Sequence, residues 1–519
     1  MGTKTFNNYE DLLTFTRASN GHALRPVSYG DELVTNGTFD SDLSDWTTGS
    51  NVTSAYSSGT AQLTLGGSLT STANNWFHQE VFEAGKLYRV TFDATYVSGT
   101  IGTYGLQAGH GYTEDIRVKS SGTYTFTVDP TIGAGSQDLR NKLTFGGEST
   151  GVWKIDNVSV KEVSFDESDG TLTLFEHPNN VPRVEYDADG VRLGLLVEES
   201  RTNLVQYSTP DSNWSTSTLG TGVTPVVTLN NETSPDGTTT AAKVVLDVGG
   251  GTTSGDRSLF LVPSANVTAT NSYAGSVWLK GETGGEQVVM RHAGNATYSL
   301  FTLTTSWARY DVTETAAGSL ATMAIGLKGN QSDATATIYV WGAQIEAGSF
   351  PTSYIKTTGS TATRSAEVAS IPVADFGYNQ NEGTMFVEAE GNSDSTVFRR
   401  VLAFRNDSTT SQWEIMGDTA ADVRMRHFNG STVDVNSDVL TNVLDGETMF
   451  KMAYAIKDND AAASGNGGTV VTDASVDFAI PQTLYIGSSG TGAYLCGHIK
   501  SIKYYPRRLT NAQLVDLTS

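Results

Sequence analysis

The sequence predicts an all-β chain: tandem jelly-roll β-sandwiches, a further sandwich behind them, and one short C-terminal helix. Three observations carry this. Short alternating apolar and polar runs bounded by Gly, Asn, Asp and Thr recur along the chain, the period of strands with one buried face. Runs at helical period are nearly absent. The 519 residues include 54 Gly but only 12 Pro, with 20 Phe, 21 Tyr and 8 Trp to fill cores. A chain of this length exceeds one core, so several domains are expected.

The domains follow from an internal repeat. VWKIDNVSVKEV (Val152–Val163) and IYVWGAQIEAG (Ile338–Gly348) align at a constant offset that sets Trp153 on Ile338, Val158 on Ala343 and Val160 on Ile345. The same offset sets Tyr88 on Tyr273 and Phe92 on Val277. Upstream, LVTNGTFDSDLSDW and LVQYSTPDSNW both run from Leu through an Asp-containing loop to Trp. Residues 31–163 and 204–360 therefore read as two jelly rolls, with Trp46, Trp214 and Trp278 in their cores. Residues 361–519 read as evenly spaced strands. They end in LTNAQLVDLTS, where Thr510 and Gln513 make a capping box for a helix.

ELVTNGTFDSDLSDWTTG, YRVTFDA and WKIDNVSVKEV resemble the family 4/9 type of carbohydrate-binding modules over residues 31–163. The C-terminal GHIKSIKYYPRRL resembles laminin-G-like or concanavalin A-like lectin sandwiches. Three further segments are similar to stretches that recur in tailed-bacteriophage virion proteins: TFTRASNG (Thr14–Gly21), VPRVEYDADGVRLGLLVEESRTNLVQYS (Val181–Ser208) and WGAQIEAGSFPTSYIKTTGSTATRSAEVASI (Trp341–Ile371). In those proteins the first two are near neighbours. Here the first jelly roll separates them, so residues 1–30 and 164–203 read as one N-terminal β-unit interrupted by an insertion.

Charge and motifs exclude more than they assign. The formal net charge of −23 repels phosphate backbones, so no nucleic-acid partner is expected. No stretch is apolar enough for membrane insertion. The one cysteine, Cys496, reads as buried and structural. Seven His are scattered, and no Gly-x-Ser-x-Gly elbow, phosphate loop or Cys/His metal set occurs. Glu198 and Glu199 are adjacent on a strand and so point apart; a solvated face or an ion pair with Arg201 is expected there. Glu414 and Asp418 share a strand face but lack a carboxylate between them, and Glu388 with Glu390 reads as the solvent side of an edge strand. No enzyme is expected.

Sugar binding needs aromatic rings beside orienting polar groups. NNWFHQE and TYGLQAGHGYTED supply Trp76, His78, Tyr104, Gln107, His110 and Tyr112, with burial of Trp76 and Tyr104 in the core as the alternative. RMRHFNG offers Arg424, Arg426 and His427 on one side of a strand. The module resemblance implies a structural calcium held by Asp40 and Asp156, with turn-forming aspartates as the alternative. The virion resemblance implies a protein on the particle exterior: a tail fibre, head fibre or decoration protein. It would adhere to host-surface polysaccharide, contact other virion proteins and form a homo-oligomer, most naturally a trimer. A purely structural decoration protein is the alternative, and a polysaccharide-degrading enzyme the more distant one.

Overall fold

The computed structural model describes residues 13–519 except 68–75, 103–104, 110–115, 131–140, 148–149, 166–169, 293–296, 394–396, 407–411, 430–431 and 477–480. It is all-β, as expected, and the described residues include one α-helix, Asn511–Thr518. Two compact units form: Arg25–Leu172, and Met1–Leu24 with Thr173–Ser519.

The Arg25–Leu172 unit is a sandwich. One sheet runs Thr47–Thr48, Phe77–Glu80, Lys142–Gly146, Leu106–Gly109, Ile116–Val118. The other sets Gly122–Val128 beside Leu87–Ser98 and Val152–Ser164, with Ala61–Leu65 and Val52–Tyr56 beyond. Between them lies a core in which Trp46 stacks on Phe77 at 4.8 Å and Phe92 meets Phe145 edge-on at 5.0 Å. Rings with offset or edge contacts fill such a space at low conformational cost.

The second jelly roll repeats this plan strand for strand. Its sheets run Ser215–Leu219, Arg257–Leu261, Ala324–Lys328, Gln287–Arg291, Ser299–Thr302, and Val223–Glu232, Ala241–Asp247, Thr335–Ala347, Ser272–Gly281, Ala308–Thr315. The repeat extends to single bonds. Tyr88 pairs with Glu162 across the sheet as Tyr273 pairs with Ala347. The Tyr88 hydroxyl accepts from the backbone N–H of Glu83 at 2.9 Å, and Tyr273 accepts from Thr268 at 2.8 Å. Trp46 and Trp214 are buried in the two cores, whereas Trp278 sits in a satellite cluster with Trp341 and Tyr354.

The C-terminal sandwich has two seven-stranded sheets. Thr14–Thr16 and Val184–Tyr186 do not make a sheet of their own. Thr14–Thr16 pairs with Val368–Pro372 at the edge of one sheet; Val184–Tyr186 and Arg192–Val197 extend the other beside Gly497–Tyr505. The helix is closed by the reciprocal Thr510–Gln513 capping box and buries Leu514 against Phe386, Ala453 and Ala455.

Candidate functional site

Strand alternation places three of the expected glycan-binding residues on one surface. Phe77 faces the core, so its neighbours Trp76 and His78 face away from it. Across the sheet His78 pairs with Thr144, and Gly146 pairs with Gln107. A Cβ on Gly146 would come within 2.6 Å of the Trp76 ring, so indole, glycine and Gln107 share that outer face. Tyr104, His110 and Tyr112 lie outside the described residues.

Of the two readings the sequence left open for Trp76, exposed stacking platform or burial, burial holds. Trp76 is fully buried, its ring lying against backbone that carries no side chain at Gly146. His78 and Gln107 are also buried. Burial lowers the pKa of His78, opposed by its contact of 3.1 Å with the Trp76 carbonyl, so the imidazole is neutral at pH 7. Two polar atoms of this face lack a hydrogen-bond partner among the described residues: Trp76 Nε1 and Gln107 Oε1. One is a donor and one an acceptor, and each costs about 1–3 kcal/mol while unsatisfied.

The C-terminal candidates separate. On Val423–Phe428 the period of two puts Arg424 and Arg426 on one face and His427 on the other. His427 is buried with Nδ1 3.2 Å from Asp434, and it does not join Arg424 in a surface site. Arg424 pairs with Asp418 and, at 2.7 Å, with Asp438. With Asp422 these two carboxylates form the three-acid group found among the described residues. Arg424 already occupies two of the three carboxylates and Asp422 accepts from the backbone N–H of Asn442, so the group carries no metal assignment. Asp40 is exposed, and Asp156 Oδ1 accepts from the backbone of Asn157 at 2.8 Å. Asp93, opposite Asp156, is occupied by Thr123 and Asn157. Calcium takes roughly six to eight oxygens; among the described residues neither Asp40 nor Asp156 belongs to a group of three acids.

The carboxylates weighed for catalysis are held in ion pairs. Glu414 is buried between Arg400 (3.1 Å) and Arg426 (3.0 Å). Glu390 is not on the solvent side of an edge strand. Its strand neighbour Glu382–Ala389 is flanked by Phe450–Lys457 and Gly497–Tyr505, and Glu390 is buried against His498. An apolar cavity of about 390 Å³ opens in the C-terminal sandwich between Leu195, Ile371, Phe376, Leu484 and Tyr504, and among the described residues no carboxylate lines it.

The segments similar to virion proteins converge on a buried ion network that sequence reasoning missed. Arg17 of TFTRASNG donates to Glu367 at 2.7 Å. Arg183 donates to both oxygens of Glu367 and, at 2.7 Å, to Glu198. Arg364 reaches Glu198 at 3.1 Å, and Ser353 joins Arg183, Arg364 and Glu198. Next to it Glu199 pairs with Arg201 as expected, and also with Arg399. Burial raises the carboxyl pKa values of Glu198 and Glu367, but the surrounding guanidinium groups outweigh it and hold both below the ordinary range. The available signal was charge inside apolar strand runs, as at Arg183 in VPRVEY.

No family model matches the chain, and no curated protein matches it. Among solved structures it is similar to the CBM40 of a Ruminococcus gnavus IT-sialidase, with 16% identity over 27% of this chain and 84% of that one (TM-score 0.24). It is also similar to domains LG4-5 of the mouse laminin alpha1 chain, with 10% identity over 52% and 90% (TM-score 0.20). A third likeness is to a tail fiber protein from an E. coli phage, with 9% identity over 56% and 39% (TM-score 0.18).

Proposed function

We propose that this is a non-catalytic adhesion protein of a tailed-bacteriophage virion exterior, binding host-surface glycans through the sheet face of Trp76, His78 and Gln107. The observation that carries the glycan reading is the pair of buried polar atoms on that face without a partner among the described residues, Trp76 Nε1 and Gln107 Oε1. A sugar hydroxyl both donates and accepts, which are the two complements these atoms require. The virion placement is supported by the three segments similar to virion proteins, whose charged residues form one framework. Self-association is supported by exposed Val223, Val226, Leu229 and Val245 on two adjacent strands, and a trimer would multiply weak contacts by avidity. A calcium at Asp40 and Asp156 would brace the first jelly roll.

The structural alternative, a decoration protein without glycan binding, draws on the same framework, since the recurring residues build a buried scaffold. Binding to immobilised bacterial surface polysaccharides, with and without calcium, separates the two. Saturable binding by the wild type, weakened about tenfold or more in Gln107→Leu and Trp76→Phe at unchanged melting temperature, supports adhesion at this face. Binding unaffected by either change places the site elsewhere. No binding by a folded sample leaves the structural role.

A further inference from the structure

The second jelly roll carries a sheet face of unusual charge. On the sheet that begins with Ser215–Leu219, Phe260, Ile325, Leu327, Val288 and Met290 face the core. The alternate positions face away, and cross-strand register aligns them: Arg257 lies opposite Lys328, and Arg291 opposite Ala324. Tyr298 packs among Leu259, Val289 and Ala324 on this outer side. Around its ring stand Arg291 Cζ at 4.7 Å, Lys328 Nζ at 5.2 Å and Arg257 Cζ at 5.3 Å.

Three cations gather here in a chain with 56 Asp and Glu against 33 Lys and Arg. None of the outward positions on these five strands is Asp or Glu. Arg257 and Lys328 have no carboxylate partner among the described residues. On the other sheet of the same jelly roll, by contrast, Lys243 pairs with Glu282 and Lys280 with Glu232. Neutral groups hold the cations in place. Arg257 donates to the Tyr298 hydroxyl at 3.3 Å and to the Ser254 carbonyl at 3.1 Å. Gln331 bridges Lys328 (3.2 Å) and the Tyr298 carbonyl (2.7 Å).

Mutual repulsion of like charges favours a site that an anion completes, and a guanidinium beside an ammonium suits a carboxylate. We infer that the outer face around Tyr298 binds an acidic saccharide, its carboxylate held between Arg257 and Lys328. The saccharide rests on the adhesion reading, whereas the anion rests on this face alone. This is a second site, on the sheet of the second jelly roll that corresponds to the Trp76 sheet of the first.

The test uses the full chain and two matched panels: polygalacturonate and α2,8-linked polysialic acid, and the methyl esters of both. The expected result is binding to an acidic polymer that is about tenfold or more stronger than to its ester and weakens as salt rises. Arg257→Gln with Lys328→Gln should lose that preference, and Arg257→Lys with wild-type Lys328 should keep it, all at unchanged melting temperature. Equal binding of acids and esters, or of esters alone, overturns the inference and leaves adhesion standing. A preference for acids that survives the double substitution overturns the assignment to this face. No binding in either panel overturns the inference and leaves the adhesion reading to its own test on bacterial surface polysaccharides.

Discussion

Arg183 and Glu367, 184 positions apart, meet as a fully buried bidentate pair: Nε to Oε1 at 2.8 Å and Nη2 to Oε2 at 2.7 Å. The same carboxylate accepts from Arg17 and from the backbone N–H of Glu198. Such a pair adds little over a well-packed apolar replacement, but removing one member strands the other's charge in a medium that solvates it poorly. The Arg17, Arg183 and Glu367 side chains are all fully buried, and burial lowers the Arg17 pKa to about 10 against the opposing pull of the Glu367 carboxylate.

Glu367→Gln is therefore expected to destabilise the Thr173–Ser519 unit by about 3–5 kcal/mol. Urea unfolding followed by tryptophan fluorescence measures this. A loss below about 1 kcal/mol would show that the network behaves like exposed pairs and that its burial is immaterial.

His498 predicts a pH dependence. Burial opposes its charged form, but hydrogen bonds to Glu185 (2.8 Å) and Glu390 (2.5 Å) outweigh it and raise its pKa from 6.5 to about 9. A group whose pKa is raised on folding contributes its full stabilisation below the unfolded value and loses it as pH climbs through the folded one. Stability should thus fall between pH 6.5 and about 9, and His498→Gln should flatten that slope. An unchanged slope in the variant would assign the dependence to other groups.

Trp76→Ala is expected to cost about 3–5 kcal/mol, because it empties a fully buried site. Lost glycan binding in that variant would report unfolding, which is why Trp76→Phe and Gln107→Leu are the informative changes. A melting temperature unaffected by Trp76→Ala would contradict the burial.

Cys496 is buried, and burial raises its thiol pKa to about 12 despite the nearby Arg399 guanidinium. The thiolate is the reactive form. A thiol reagent at pH 8 should leave the folded protein unlabelled and react once denaturant is added. Fast labelling of the native protein would overturn this.

Much of the architecture was legible because strand patterns are local. Alternation marks a buried face within five or six residues, so the jelly-roll repeat appeared from Trp153 and Ile338 onward, and even the Tyr88 and Tyr273 hydroxyl contacts follow its offset. The capping box at Thr510 is likewise a matter of three adjacent positions. Alternation also assigns Trp76, His78 and Gln107 to one face, once the register of three strands is known.

Sequence alone could not say how deeply those three side chains lie, since burial depends on what covers a face as well as on which face it is. It grouped His427 with Arg424 by nearness in the chain, and a period of two sends them to opposite sides. It placed Glu390 at an exposed edge, although strand order encloses the neighbouring strand. Composition, periodicity and the repeat were set by the sequence because each is a property of residues close together. The Arg17–Glu367–Arg183–Glu198 network and the cationic face around Tyr298 were decided by tertiary structure. Their members are separated by up to hundreds of positions, and only chain closure brings those charges within the few ångströms over which they act.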